Sequence, residues 1–407
     1  MNGIFAIEKP SGITSSQFLS QVQKLFMKSK IFQHEIGEQI RERTEQYKRE
    51  TGGRLPSRKM LRKSSKIKMG HGGTLDPLAS GVLVIGIGKG TKQLSQYLHG
   101  TVKCYEAEAL LGASTTSGDC EPNGEIISLN SVNFLKSLTN TDSIIDDLTQ
   151  KFKGHLKQTP PIFAALKMNG KPLHEYAREG LPLPKPIEPR ELEISELVIN
   201  KEDFLSTSHN YKFLPITDSL LEDLTKLEEN NANNGTPLFY SKEYCESHNL
   251  PIDKDNKPKD THPITREEAE HIMKLSTSYR APLLHFIAKV SSGTYIRSLI
   301  TDMGKSLGTS AYMVKLIRLS QKDWDLTKNN VFKLENFVDV EESIWSKVLK
   351  KVLDEGPSVD IQREIETLTL ESKEKEQVEQ EGCPDTKKHS IEIEEDIEHP
   401  DKKRKDI

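Results

Sequence analysis

The sequence predicts a mixed α/β protein whose core is interrupted by two polar insertions and followed by a charged tail. Three observations predict it. Short apolar runs of strand length at residues 4–7, 82–87, 105–111 and 283–290 alternate with segments that carry apolar residues at helical spacing. Residues 28–68 and 200–278 lose that spacing and turn polar. Beyond Gly356 the chain is charged and free of aromatic residues, a composition that buries too little apolar surface to offset the entropy of ordering.

The elements follow in order. Ile4-Phe5-Ala6-Ile7 is the first strand, and Lys9-Pro10-Ser11-Gly12 the turn after it. Thr14 and Ser15 are N-cap residues for a helix with Phe18, Val22 and Leu25 on one face. The basic insertion 28–68 holds a helix of its own, broken at Gly52-Gly53. Core sequence resumes at Met69, with a buried strand at 82–87, a second strand at Tyr105–Leu111 and a Ser/Thr/Gly-rich loop over Gly112–Gly124. A helix is expected over 142–156, stopped by Thr159-Pro160-Pro161, with a strand over Ile162–Met168. Insertion 200–278 is rich in Asn, Lys, Glu and Pro and reads as partly ordered. Leu283–Val290 is a strand; Ser291–Thr294 then leads into a helix with Leu299, Met303 and Leu307 on its buried face. Leu316–Phe337 adds a last strand and a small element. The expected division is therefore a core domain over 1–318, a small C-terminal element over 319–356 and a disordered acidic tail over 357–407.

Across 407 residues, 57 Lys/Arg against 61 Asp/Glu leave a net charge of −4 that hides a strong asymmetry. Residues 41–68 hold eleven Lys/Arg against three Glu, an excess of +8; residues 360–407 hold sixteen Asp/Glu against nine Lys/Arg, an excess of −7. A basic block inside a near-neutral chain points to a local polyanion site. No run approaches 18 apolar residues, so a membrane span is excluded, and MNGIFAIEKP does not read as a signal peptide. Cys104, Cys120, Cys245 and Cys383 stand singly, which speaks against a zinc site or a disulfide framework and for a reducing compartment. Gly86-x-Gly88-x-Gly90 fits neither the GxGxxG nor the GxxxxGK[ST] template, so kinase and dehydrogenase readings fall away.

The segment richest in chemistry is Gly70-His71-Gly72-Gly73-Thr74-Leu75-Asp76-Pro77-Leu78-Ala79-Ser80-Gly81. Its glycines allow close backbone approach, so a carboxylate here can meet a large ligand unobstructed. With Lys9-Pro10-x-Gly12-x-Thr14-Ser15 it resembles the TruB family of pseudouridine synthases. Three further blocks fall in the family's order: Lys103-x-Tyr105 with Leu111-Gly112, Thr115 and Asp119; Gln158-Thr159-Pro160-Pro161 with Ala165-Leu166-Lys167 and Tyr176-Ala177-Arg178; and Ser292-Gly293-Thr294-Tyr295-Ile296-Arg297 with Asp302, Leu316 and Arg318. The two insertions and long tail resemble the fungal branch, which modifies uridine-55 of transfer RNA.

The resemblance implies the pseudouridine synthase fold, a mixed α+β architecture on a central, mostly antiparallel sheet. It implies an isomerisation with no net redox change, hence no cofactor and no metal. Asp76 matches the catalytic aspartate, whether it forms an adduct at C1′ or the sugar passes through a glycal. Arg297 matches its partner, expected to grip the carboxylate bidentately and lower its pKa. Tyr105 matches the active-site tyrosine, and His71, Tyr295, Leu316 and Lys9 match residues about the flipped nucleotide, Lys9 with Pro10 as support beneath the tyrosine. Arg58, Lys59, Arg62, Lys63, Lys66 and Lys68 lead directly into the Gly70–Gly81 loop and are expected to grip the RNA backbone of the T-arm. Messenger RNAs with a T-loop-like motif are further candidate substrates, and a monomer is expected. Residues 319–356 are too short for a complete PUA-type domain. A guide-RNA-dependent synthase and a tRNA-binding chaperone are the alternatives. Lys402-Lys403-Arg404-Lys405 reads as a nuclear import signal, with mitochondrial and cytoplasmic pools beside a nuclear one.

Overall fold

The computed structural model describes residues 1–381 except 122–123, 140, 165, 225–235 and 257–261. Residues 382–407, with Cys383 and the basic run Lys402–Lys405, lie outside the described residues. Among the described residues no helix is long and apolar enough to cross a membrane.

Nine strands form the central sheet. They are β1 (Gly3–Lys9), β2 (Met69–His71), β3 (Ser80–Ile87), β4 (Lys103–Leu111) and, after a small hairpin of β5 (Ala113–Thr115) and β6 (Ile126–Leu129), β7 (Gly154–Gln158). Beyond a second small hairpin, β8 (Lys167–Met168) and β9 (Lys171–Pro172), come β10 (Arg190–Ile199), β11 (Leu283–Val290), β12 (Ala311–Gln321) and β13 (Trp324–Asp325). The order is β1-β3-β12-β4-β11-β10-β7, with β2 on β3 and β13 on β12. Every pairing is antiparallel except β3 with β12.

The period of two along β4 sorts the sheet's faces. Tyr105, Ala107 and Ala109 enter one core with Phe286, Leu299, Met303 and Leu316, covered by the helices Asp142–Phe152 and Ile296–Leu307. Leu110 and Tyr312 enter a core on the opposite face that is closed by Ile216, Leu221, Ile264 and Ile272 of the 200–278 insertion. Those parts of the insertion are thus tied to the sheet by apolar packing.

At the β1–β3 end, helix α1 (Ser15–Lys28) buries Phe18, Val22 and Phe26. Helix α2 (Lys30–Thr51) is the expected helix of the basic insertion; it buries only Phe32 and ends at Gly52, whose φ of 68° suits a glycine C-cap. A short helix α3 (Arg58–Ser64) follows. Phe26 stacks between Phe32 and Trp345, at centroid distances of 5.0 and 5.8 Å. The helix Glu342–Glu355 is therefore part of this core and no separate appendage.

Four expectations are corrected. The helix expected over 142–156 ends at Phe152, because Gly154 at φ 118° turns the chain and 154–158 pair with β10 as an edge strand. The Gly112–Gly124 loop contains the short strand β5, and the strand expected over Ile162–Met168 shrinks to Lys167–Met168. The tail does not become structureless at 357. A helix runs from Ile361 to Glu381, with Ile361 and Ile365 buried and Leu368 packed on the same core. Overall composition hid that three-residue stripe at helical spacing.

Gly81 marks a close approach that any side chain would spoil. Its φ is 101°, and a Cβ there would overlap the Arg318 carbonyl across the parallel β3–β12 contact. Gly81→Ala is expected to lower stability by at least about 2 kcal/mol in urea unfolding.

Candidate active site

Three buried side chains shape the loop between β2 and β3. Ser15, expected as a cap, instead ties the loop down: its Oγ accepts from Leu75 N at 2.8 Å and donates to the Leu75 carbonyl at 3.0 Å. Thr14 alone is the N-cap, in a capping box with Gln17. Lys9 is fully buried and donates to the carbonyls of Pro10, Pro77 and Ala79 at 2.8, 3.4 and 2.7 Å. Burial holds its pKa down to about 8, against the raising effect of Asp76. Arg318, 2 % exposed, donates to the Thr74 and Val82 carbonyls at 2.8 and 3.2 Å, to Gln321 Oε1 at 3.1 Å and to Tyr105 Oη at 3.2 Å.

The loop so held presents Asp76 to a cavity of about 400 Å³. Arg297, in the first turn of the helix Ile296–Leu307, places Nε 3.0 Å from Asp76 Oδ2. The contact is not the expected fork. Nη1 and Nη2 instead donate to the Ser117 and Phe163 carbonyls at 2.7 and 3.0 Å, and Asp119 Oδ2 lies 3.8 Å from Nη1. Nor is the Asp76 pKa lowered. Burial pushes it above the ordinary carboxylate range; Arg297 pulls against that rise, and Asp119 adds to it. The Asp76 side chain keeps 34 % of its surface open, whereas Arg297 is 7 % exposed. The result is a positioned carboxylate beside a fixed guanidinium, an arrangement suited to attack on an electrophilic carbon or to stabilising positive charge.

Of the sequence candidates, Asp76, Arg297, Tyr105, Tyr295 and Leu316 line this one cavity. Tyr105 sits directly across from Arg318 in the β4–β12 register, with the guanidinium 5.6 Å from its ring centroid. Tyr295 is the N-cap residue of the Arg297 helix, and its backbone N–H donates to Gln158 Oε1 at 2.8 Å. Burial raises its phenol pKa.

Two candidates are placed elsewhere. Lys9 lies behind the loop and not in the cavity wall, so its geometry is that of a support and not of a ligand contact. His71 ends β2 outside the cavity wall; its Nδ1 is buried without a partner among the described atoms, and burial followed by the nearby Arg318 lowers its pKa.

The side chains of Arg58, Lys59, Arg62, Lys66 and Lys68 are exposed on α3 and the link from it into β2; that of Lys63 is outside the described residues. On the opposite face of the sheet Glu106, Glu108 and His285 could hold a cation. Lys315 Nζ already sits 3.0 and 2.6 Å from the two glutamates and holds their charge.

Sequence reasoning assigned no role to Arg318, Lys103 or Phe163, all of which line the cavity. The signal for two of them was periodicity: Lys103 and Arg318 stand two residues from Tyr105 and Leu316 on their strands, hence on the same face.

The sequence profile of the TruB family pseudouridylate synthase (N terminal domain) matches residues 58–211. The chain is 56 % identical over 366 residues to tRNA pseudouridine synthase 4 of Saccharomyces cerevisiae, covering 90 % of this chain and 88 % of that one. Against tRNA pseudouridine synthase 4 of Schizosaccharomyces pombe it is 35 % identical over 356 residues, covering 82 % of each. With tRNA pseudouridine synthase B of Geobacillus kaustophilus it shares 31 % over 213 residues, 52 % of this chain and 59 % of that one. A carboxylate on a glycine-rich loop paired with a guanidinium from a helix, joined to likeness over nearly the whole length, makes this chain a member of the TruB family of pseudouridine synthases.

Proposed function

We propose that this enzyme isomerises uridine-55 in the T-loop of transfer RNA to pseudouridine, alone and without a cofactor. The observation that carries the reading is the Asp76 carboxylate, held 3.0 Å from Arg297 in a cavity of about 400 Å³ walled by Tyr105 and Tyr295, in a chain with relatives named tRNA pseudouridine synthases. The reaction breaks the C1′–N1 bond of the uridine, turns the uracil and joins C5 to C1′; C5 gives up its proton and N1 gains one, so the product is an isomer of the substrate. Asp76 is the reacting carboxylate, Arg297 orients it and opposes the rise in its pKa, and the tyrosines hold the base. Leu316 completes the wall around the flipped nucleotide; His71, at the end of β2, stands outside that wall.

The target base has to leave its stack, at roughly a few kcal/mol. Phosphate contacts by the exposed charges of α3 and its link supply part of that energy. Neutralising Arg58, Lys59, Arg62, Lys63, Lys66 and Lys68 together is expected to weaken tRNA binding and flatten its salt dependence, the slope falling by about 0.7–0.9 per lost contact. An unchanged slope would remove this segment from the interface. The protein acts as a monomer, and messenger RNAs with a T-loop-like motif are further substrates; its pools are nuclear, cytoplasmic and mitochondrial.

The experiment is incubation of purified protein with unmodified tRNA transcript and no guide RNA, with pseudouridine mapped by carbodiimide and primer extension. A single stop at position 55 is expected. Tight binding with no modification would refute the stand-alone reading.

A further inference from the structure

Four lysines of the described chain are buried: Lys9, Lys103, Lys151 and Lys305. Three of them have strong partners. Lys9 reaches three carbonyls, Lys151 pairs with Asp147 at 2.7 Å, and Lys305 donates to the Thr236 carbonyl and hydroxyl at 2.9 and 2.6 Å. Lys103 is different. It is 9 % exposed, and among the described residues its Nζ meets only Ser292 Oγ, at 3.5 Å, with no carboxylate in ion-pair range. The neighbouring charge that acts on it is Arg318, of the same sign. Its partners across the sheet are Val290 and Gln321, which bring no charge.

A buried ammonium without a counterion is costly, because desolvation is not offset by attraction. Burial and Arg318 accordingly bring its pKa down to about 8, which leaves it largely protonated at neutral pH. The side chain nevertheless lines the active-site cavity, on the same face of β4 as Tyr105 and two residues before it. That step along a strand is about 7 Å, the reach of a nucleotide from base to phosphate. Ser292 Oγ, itself anchored on the Leu98 carbonyl at 2.7 Å, is the polar atom the ammonium meets at the cavity wall.

We infer that Lys103 is a phosphate-binding residue of the active site, positioned by Ser292, which takes a backbone phosphodiester flanking the nucleotide that reacts at Asp76. The inference rests on the tRNA reading above. RNA carries its negative charge on phosphates alone, so a cavity-lining cation with no counterion among the described residues has one kind of anion to meet there.

The test compares wild type with Lys103→Met, which keeps the stem and removes the charge. Binding of unmodified tRNA transcript is titrated with salt, pseudouridine formation is followed at varied tRNA, and thermal unfolding is recorded. In Lys103→Met, KM is expected to rise about tenfold or more, with a smaller change in kcat. The slope of log affinity against log salt is expected to fall by about 0.7–0.9. The thermal midpoint is expected to hold or rise, since an unpaired buried charge has gone. An unchanged KM and slope would overturn the inference, and so would a loss of affinity that comes with a lowered midpoint, the mark of a structural lysine. Absence of pseudouridine with wild type would instead defeat the tRNA isomerase reading, while the salt slopes still judge Lys103.

Discussion

Asp76→Asn protein will bind unmodified tRNA with near wild-type affinity and form no pseudouridine, a loss of about 10⁴-fold or more in kcat. The amide keeps the shape of the carboxylate but can neither attack carbon nor balance positive charge on the sugar. Folding should survive the change. Burial first, with Asp119 behind it, raises the folded-state pKa of Asp76 despite Arg297, so the ionised form is disfavoured by folding. A raised folded pKa means stability present at low pH and lost as pH rises through that pKa; removing the group at neutral pH therefore costs no stability from this source. The same shift sets the pH profile. With the ionised carboxylate as the active form, kcat/KM of the wild type falls toward acid at a pH above the ordinary carboxylate range. Arg297→Met removes the attraction that opposes the rise and should move that limb to still higher pH, with a large fall in kcat. A wild-type acid limb at the ordinary carboxylate pKa would show that Asp76 is better solvated in solution than its burial implies.

Arg318→Met is expected to be the most destabilising single change at the site, by about 3–5 kcal/mol in urea unfolding, and to collapse activity as well. The guanidinium is 2 % exposed and serves acceptors in several directions at once: the carbonyls of Thr74 and Val82, Gln321 Oε1 and the Tyr105 hydroxyl. Methionine fills the volume but leaves those buried acceptors unserved, and the backbone that presents Asp76 loses its anchor at Thr74. Arg318→Lys should recover only part of the loss. A single ammonium cannot span acceptors that a planar fork reaches together. Stability within about 1 kcal/mol of wild type in Arg318→Met would show that water enters and replaces the guanidinium's bonds.

The candidate site was legible to different depths. Asp76, Tyr105, Leu316 and the adjacent pair Tyr295 and Arg297 come from four segments between residues 76 and 316, and the resemblance of their motifs, read in order, implies that they meet. All five line one cavity. The electrostatics were not legible. The resemblance implies that Arg297 pairs with Asp76, and an adjacent guanidinium leads one to expect a lowered pKa and a bidentate grip. What reverses the first is burial, and what prevents the second is that Arg297 spends Nη1 and Nη2 on the carbonyls of Ser117 and Phe163. Lys9 shows the same limit from the other side. The resemblance places it among the residues about the flipped nucleotide, as a support beneath the tyrosine; its three carbonyl acceptors, in its own turn and in the 77–79 segment of the loop, leave it the supporting role alone.

By itself the sequence determined the local order: strands where apolar runs are four to eight residues long, the capping box at Thr14, the glycine stop of α2 at Gly52, and the loop on which the carboxylate stands. These depend on neighbours within a few positions, whose dihedral preferences and spacing are written in the chain. Only the tertiary structure decided that residues 154–158 leave the helix for a sheet edge, that Ile361, Ile365 and Leu368 find a core to cover, and that Arg318 and Lys103 face the cavity as buried cations. Each of those outcomes turns on desolvation and on partners far away in sequence. The energy of burying a group is set by what the fold brings to it, and that is written nowhere in its own neighbourhood.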